Sequence, residues 1–352
     1  MKIDLTKTPK SRGYYFPAEW EKHEATWLSW PHREASWPGK INDIFAPYVR
    51  FIKTIAEGEK VRINVQDEKM KSFALEHLSR AKIHTRNIEF YYHRTDDAWC
   101  RDHGPAFLIN PGAKKKKAIV DWGFNAWGEK HESFFLDNTI PEKISEELGL
   151  PLFRPEIIME GGAVDFNGKG TVITSRSCLL NPNRNKGLNE KEIEFFLKEY
   201  YGVRQIFWVE DGIVGDDTDG HIDDMVRFVN ENTVLAAVEE NKEDENYFIL
   251  QENLKLLEKM FFLDGTPLNI VKLPMPDPVY YNGERLPASY ANFYICNSAV
   301  VVPTYSCRKD REAMEIIRKC FPDRKIVGID STDIIWGLGS FHCLSQQEPL
   351  VL

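Results

Sequence analysis

The chain has no cysteine pair at metal-ribbon spacing. Cys100, Cys178, Cys296, Cys307, Cys320 and Cys343 stand apart, with no CxxC and no regular framework. That argues against a zinc ribbon or a disulfide scaffold, and thiols in a reducing cytosol are the expectation. No apolar run approaches the roughly 20 residues that cross a bilayer. Met1 to Thr6 lack the apolar stretch of a secretory signal. A cytoplasmic protein without membrane contact is therefore expected. Positive charge is outnumbered, with 45 Lys and Arg against 54 Asp and Glu. The net charge is -9 at pH 7, and the one basic run, Lys114 to Lys117, follows Pro111-Gly112 and is read as an exposed turn. Nucleic acid, which is bound by clustered Lys and Arg, is not expected as a partner. No stretch of linker composition divides the 352 residues, so one domain over 1–352 is expected, with 1–16 as a flexible arm. Self-association into a homo-oligomer stays open.

What the chain concentrates is acid, in one place. Gly215-Asp216-Asp217-Thr218-Asp219-Gly220-His221-Ile222-Asp223-Asp224 packs five carboxylates and a histidine into ten residues. Like charges so close repel unless water or a cation meets them. Met225 to Val229 follow as a strand-like apolar run. His221 and Asp223 alternate as strand residues would, which predicts that both side chains face one way and Ile222 the other.

Periodicity organises the rest. Residues 44–57 and 67–80 read as helices, and 61–65 and 88–92 as strands. Five segments share a polar or small residue leading into an apolar β-run: 24–30, 104–110, 170–174, 232–237 and 297–303. Helix-period stretches at 190–201, 247–262 and 310–321 follow three of them. Strands at 205–208, 268–271 and 325–329 follow those helices. Five weak copies of a strand–helix–strand unit fit a pseudo-symmetric array. An ordinary α/β domain would alternate in the same way, and pattern alone does not separate the two.

Three further constellations join the acidic stretch. Asp96-Asp97-Ala98-Trp99-Cys100-Arg101-Asp102 leads through Gly104-Pro105 into a strand. Glu160-Gly161-Gly162 ends an apolar run, where glycines allow close backbone approach. Gly337-Leu338-Gly339-Ser340-Phe341-His342-Cys343 surrounds a cysteine with small residues. A metal is one reading of the acids, but the order is not that of an EF-hand and one histidine is few for a transition metal. A guanidinium is the other. Carboxylates grip it in forked pairs, a thiolate attacks its central carbon, and a histidine moves protons.

These motifs resemble the agmatine deiminase family, within the guanidine-modifying enzymes that include peptidylarginine deiminases. The resemblance runs through Pro17-Ala18-Glu19-Trp20, Asp96 to Asp102, Trp122 to Gly128, Glu160-Gly161-Gly162, Asn181 to Asn185, Thr218 to Asp223, Leu286 to Tyr294 and His342-Cys343. It implies an α/β fold of the five-bladed propeller (pentein) type with a central active site. It also implies hydrolysis of agmatine to N-carbamoylputrescine and ammonia through an amidino-thioether. Cys343 would be the nucleophile, His221 the proton carrier, Asp102 and Asp223 the guanidinium clamp, and Glu160 a support for His221 or the substrate end. Trp99, Asp97 and Asp217 would bind substrate. No metal and no cofactor are implied, since carboxylates and histidine supply charge and protons.

Two departures bear on specificity. Asp217 stands where the family usually has Glu, and Leu338, Ser340 and Phe341 interrupt a lead that usually reads Gly-Gly-Gly-Asn-Ile-His-Cys. Arg101 is the residue to watch as a carboxylate partner, although it could pair with Asp102. A deiminase of peptidyl-arginine or another alkylguanidine is the alternative. An inactive relative that binds polyamines or a metal is the alternative of another class.

Overall fold

The computed structural model describes residues 4–352. Four sheets follow one plan: a short antiparallel hairpin, then a helix that returns the chain parallel to the second hairpin strand. Ala106–Ile109 pairs antiparallel with Lys117–Val120, and Leu152–Phe153 runs parallel beside it after helix Ile140–Leu148. Val164–Phe166, Thr171–Ser175 and Gln205–Val209 repeat this around helix Glu190–Tyr200. Val226–Asn230, Thr233–Val238 and Asn269–Pro274 do so around Tyr247–Leu257. Tyr294–Ile295, Ala299–Thr304 and Lys325–Asp330 do so around Lys309–Cys320.

Tyr280–Tyr281 and Glu284–Arg285 form a small antiparallel pair, and a fifth, four-stranded sheet joins the two ends of the chain. Ser345–Pro349 pairs antiparallel with His23–Ser29, which runs parallel to Lys60–Asn64 and, through it, to Ile88–Tyr91. Parallel pairing requires a crossover, and each helix supplies one while covering the sheet face. Helix Phe45–Ala56 buries Phe45, Tyr48, Val49, Phe51, Ile52 and Ile55, the helical spacing seen in the sequence. Helix Glu190–Tyr200 starts in a capping box. Glu192 N donates to Asn189 Oδ1 at 3.3 Å, and Asn189 N to Glu192 Oε2 at 2.9 Å. No helix among the described residues is long and apolar enough to cross a membrane.

Three expectations need correction. The segment 104–110 holds the first strand of its sheet, while in the other four sheets the recurring segment is the middle strand; here that place belongs to Lys117–Val120. Two apolar strands flank the 110–116 turn, and the pattern does not rank them. The helix read over 247–262 stops at Leu257, because a bridge between Phe261 and Pro267 turns the chain. The arm is not free over its described part. Thr8 and Tyr14 are buried, Tyr15 bridges Ile109, and Phe16 packs on Phe166 with ring centroids 4.3 Å apart. Three consecutive aromatic residues gain more from burial than the arm loses in freedom. Residues 1–3 of that expectation lie outside the described residues.

Candidate active site

The loops between strands bring the reactive residues together. Asp102 lies in the helical turn Cys100–His103, which feeds strand Ala106–Ile109. Its Oδ1 accepts from Gly162 N and its Oδ2 from Trp127 Nε1, both at 2.9 Å. Glu160 precedes the turn Gly161–Ala163 and is fully buried, and its Oε1 accepts from Arg184 Nε at 2.6 Å. Gly162 admits no side chain, since a Cβ there would sit 2.5 Å from His221 Nδ1 and 2.9 Å from Asp102 Oδ1.

The acidic stretch is a loop shaped by its own carboxylates. Asp216 accepts from the backbone N–H groups of Thr218, Gly220 and His221 at 2.7, 2.9 and 3.0 Å. His221 and Asp223 do not alternate along a strand as expected. Ile222–Asp224 is a 3-10 turn, because these Asp216 bonds tighten the chain just before the strand begins. The turn still aims both side chains at one place. His221 Nδ1 is 3.7 Å from Asp102 Oδ1 and 4.0 Å from Asp223 Oδ1, and His221 Nε2 is 3.9 Å from Glu160 Oε2. Cys343 Sγ lies 3.7 Å from Asp223 Oδ2. Glu160 Oε2, His221 Nε2 and Asp223 Oδ1 are buried with no hydrogen-bond partner among the described residues. Such orphaned polar atoms need an explanation, and a ligand is one.

A cavity of about 410 Å³ opens onto Cys343 and Asp102. Trp99, Trp127, Trp336, Tyr281 and Leu338 wall it, and Asp97, Asp217 and Glu284 add carboxylates. Trp99 stacks on Trp37 at 5.1 Å, and Tyr281 on Trp336 at 3.8 Å. Asp97 is already engaged, accepting from Ser36 Oγ at 2.5 Å and Ala98 N at 2.7 Å. Asp217 is half-exposed and sits 3.5 Å from both Lys130 Nζ and His131 Nε2. Of the departing residues near Cys343, only Leu338 lines the cavity. Phe341 is buried against Phe51 at 4.9 Å, so it adds no bulk beside the thiol, and Ser340 Oγ bonds Ser331 Oγ at 2.7 Å. Arg101 neither pairs with Asp102 nor lines the cavity. It turns away to Gln347 Oε1 at 2.6 Å and the His342 carbonyl at 3.3 Å.

Four residues of the site carried no sequence-based role. Asn292 Nδ2 donates to Cys343 Sγ and to Asp224 Oδ1, both at 3.0 Å. Its Oδ1 accepts from the backbone N–H groups of His342 and Cys343 at 3.1 and 3.3 Å, which pins the cysteine loop. His342 bridges Asp223 Oδ2 at 2.6 Å and Glu19 Oε2 at 2.9 Å. Arg227 Nη2 donates to the same Glu19 oxygen at 2.6 Å, and its Nε to Asp165 Oδ1 at 3.3 Å. The signal was present for Asn292: an amide set among Tyr290, Phe293 and Tyr294 must be bonded once buried.

The charges are mutually dependent. Burial raises the Cys343 thiol well above its ordinary range, and Asp223, Asp224 and Asp102 push it further. Burial lowers the His221 imidazole, but Asp102 and the Cys178 and Glu160 contacts outweigh this and lift it well above the usual range. Burial raises Asp102, offset in part by His221. For Asp223 burial also pulls upward, and the His342 bond overrides it. The cluster is thus an acid-rich pocket holding an imidazolium, while on the cavity wall Arg33 stands 3.9 Å from Asp97 and Asp217 meets Lys130 and His131.

Arg227→Met tests the support beneath Asp223. It leaves Glu19 and Asp165 buried without their shared cation, a loss of about 3–5 kcal/mol, and Tm falls by several degrees. Burial pushes Glu19 up, but Arg227 and His342 hold it below the ordinary carboxylate range. Its stabilising contribution is therefore present above the unfolded pKa of about 4.3 and is lost as pH falls. Calorimetry should find the Tm gap between variant and parent wide at neutral pH and narrowing towards about pH 4. A pH-independent gap would overturn this account of the network.

Comparison with known proteins bears on the whole chain. Residues 15–349 match the Porphyromonas-type peptidyl-arginine deiminase family. An agmatine deiminase from Pseudomonas aeruginosa is 35% identical, with 98% of each chain covered. The structure of an agmatine deiminase of Enterococcus faecalis superposes with a TM-score of 0.91 at 31% identity over 100% of both chains. A serine-substituted agmatine deiminase from C. jejuni, solved with substrate bound, gives 0.87 at 35% identity over 96% of this chain and 97% of its own. With an α/β fold in common and near-complete coverage, the chain belongs to the family that the Porphyromonas-type peptidyl-arginine deiminases and the agmatine deiminases share.

Proposed function

We propose that the chain hydrolyses agmatine to N-carbamoylputrescine and ammonia, with Cys343 as nucleophile. The observation that carries the reading is the convergence of Cys343, His221, Asp102 and Asp223 beside a cavity walled by three tryptophans. Asp102 and Asp223 take the guanidinium nitrogens, which neutralises the carboxylates that hold the thiol protonated. Once the thiol has released its proton to solvent, Sγ attacks the central carbon. The His221 imidazolium gives its proton to the departing amino group, and ammonia leaves an amidino-thioether. Neutral His221 then removes a proton from water, the resulting hydroxide adds to the same carbon, and the C–S bond breaks to return the thiolate while the new hydroxyl loses its proton to solvent, releasing the substituted urea. Glu160, braced by Arg184, orients His221. The carboxylates and the histidine supply the charge and protons of these steps.

Agmatine is favoured over arginine because the cavity offers carboxylates and aromatic walls to an alkylammonium, while Arg101 is turned to Gln347 and Arg33, on the cavity wall, is paired with Asp97 at 3.9 Å. Leu338, at φ 68, replaces a glycine of the family lead and adds an apolar face beside the alkyl chain. The same reading takes the five sheets as blades of one propeller-shaped domain closed by the pairing of Ser345–Pro349 with His23–Ser29, acting as a cytosolic enzyme on a free small molecule. Ammonia release measured with agmatine, arginine and an arginine-containing peptide tests it. A peptide turned over faster than agmatine would replace the agmatine reading with the peptidyl one.

Asp217 is read as the partner of the distal ammonium, shared with Lys130 and His131. Asp217→Asn should raise KM for agmatine about two- to fivefold with kcat nearly unchanged, the size of a half-exposed ion pair. Steady-state kinetics showing a lower kcat at unchanged KM would remove Asp217 from that role.

A further inference from the structure

Cys178 has no part in the reaction just described, yet it is buried against it. It sits in the helical turn Arg176–Leu179 with no exposed surface. Its Sγ, a carboxylate oxygen of Glu160 and a ring nitrogen of His221 all lie within 4.8 Å of one another. Two of these three residues present the orphaned atoms noted above. Glu160 Oε2 and His221 Nε2, 3.9 Å apart, are buried and have no hydrogen-bond partner among the described residues. A buried polar atom left unsatisfied on each is costly in a core.

We propose that Cys178, His221 and Glu160 form a site for a thiophilic divalent cation, with Zn²⁺ as the fitting ion, and that its occupation withdraws His221 from proton transfer. The second half rests on the role given to His221 above; the first does not. Thiolate, imidazole and carboxylate are the donor set of Zn²⁺ and its borderline-soft neighbours, whereas Ca²⁺ and Mg²⁺ take oxygen. Bond lengths of about 2.0–2.3 Å to a tetrahedral ion set ligand atoms roughly 3.3–3.7 Å apart. The three side chains must therefore close by about 1.5 Å at most, and the fourth position falls to water.

The charges balance. Binding expels the Cys178 proton to solvent as the metal–sulfur bond forms, and His221 gives up its own proton to present a lone pair. The two charges of the ion then meet one thiolate and the Glu160 carboxylate. Arg184, on the other oxygen of Glu160 at 2.6 Å, is already paired with Asp219 at 2.5 Å. The filled site is neutral overall, the condition under which a buried cluster avoids a heavy desolvation cost. Because protons leave, affinity rises with pH.

The test uses Co²⁺ as the probe, in a C343A background that removes the cavity thiol. Titration of the full chain under reducing, chelator-free conditions should give a thiolate-to-Co²⁺ charge-transfer band in the near ultraviolet, saturating at one equivalent. The band should strengthen with pH and be displaced by Zn²⁺. In C343A/C178S the band disappears and Co²⁺ affinity falls at least about tenfold. C343A/E160Q keeps the thiol and the shape of the site, so it shows the band only at roughly tenfold or more higher metal concentration; it decides the matter should the serine variant fail to fold. In the parent chain, Zn²⁺ slows ammonia release, and C178S resists that inhibition. Absence of the band in C343A, its persistence in C343A/C178S, unchanged affinity in C343A/E160Q, or inhibition undiminished in C178S each overturns the proposal. The spectroscopic readout needs no turnover, so its failure is distinct from failure of the deiminase reading.

Discussion

Cys343→Ala releases ammonia from agmatine at a rate lower by roughly 10⁴-fold or more, the loss expected when a covalent nucleophile is removed. The groups around it cannot take over. Asp223 and Asp102 are engaged in the guanidinium clamp, and Asn292 is a donor to sulfur at 3.0 Å with no nucleophilic atom to offer. Cys343→Ser should fail in the same way, since a hydroxyl of ordinary acidity gains no anion from a pocket of carboxylates. Binding is another matter. The acids and tryptophan walls remain in both variants, so calorimetry should still register agmatine. The fold is also expected to survive, because the thiol stays protonated beside Asp223, Asp224 and Asp102 and contributes no buried ion pair. Ammonia release above about one per cent of the parent rate would remove Cys343 from the mechanism.

Asp223→Asn has an effect that splits into opposite signs. The Asp223 carboxylate accepts from His342 at 2.6 Å and lies 3.7 Å from the Cys343 sulfur. Removing its charge weakens the hold on the guanidinium by about 3–5 kcal/mol, the cost of breaking a buried charged pair, so kcat/KM for agmatine falls by roughly 10²–10⁴. The same change relieves the repulsion that keeps the thiol protonated. Alkylation of Cys343 by iodoacetamide, followed without substrate, measures this directly. In the parent the rate climbs with pH and does not level off at an ordinary thiol pKa of about 8.5, because burial and three carboxylates raise the thiol. In Asp223→Asn the curve shifts to lower pH and alkylation at neutral pH is faster. A variant in which both turnover and alkylation collapse has lost its fold or its loop, and the electrostatic account of Asp223 fails.

The two halves of this site differ in how far the sequence discloses them. Asp102, Glu160, His221, Asp223 and Cys343 each lie in a short, chemically dense motif, and each was legible because its neighbours are glycines, acids or aromatics with no better use in a core. The partners that tune them were not. Asn292, His342, Glu19 and Arg227 act across separations that run from 50 residues, between Asn292 and His342, to 323, between Glu19 and His342, and no local pattern records a contact of that kind. Arg101 shows the opposite error. Adjacency to Asp102 suggested an ion pair, but successive residues of a helical turn point apart, and the guanidinium meets Gln347 instead.

By itself the sequence determined the alternation of strand and helix, the chemistry of a thiol, an imidazole and paired carboxylates, and the family. Apolar period and side-chain type are local properties, so they survive without coordinates. Only the tertiary structure decided that His23–Ser29 pairs with Ser345–Pro349, that Phe341 points away from the cavity while Leu338 enters it, and that Cys178 lies beside His221 and Glu160. These depend on how separate loops are held against one another by sheet pairing and buried ion networks, and such long-range constraints leave no period in the chain.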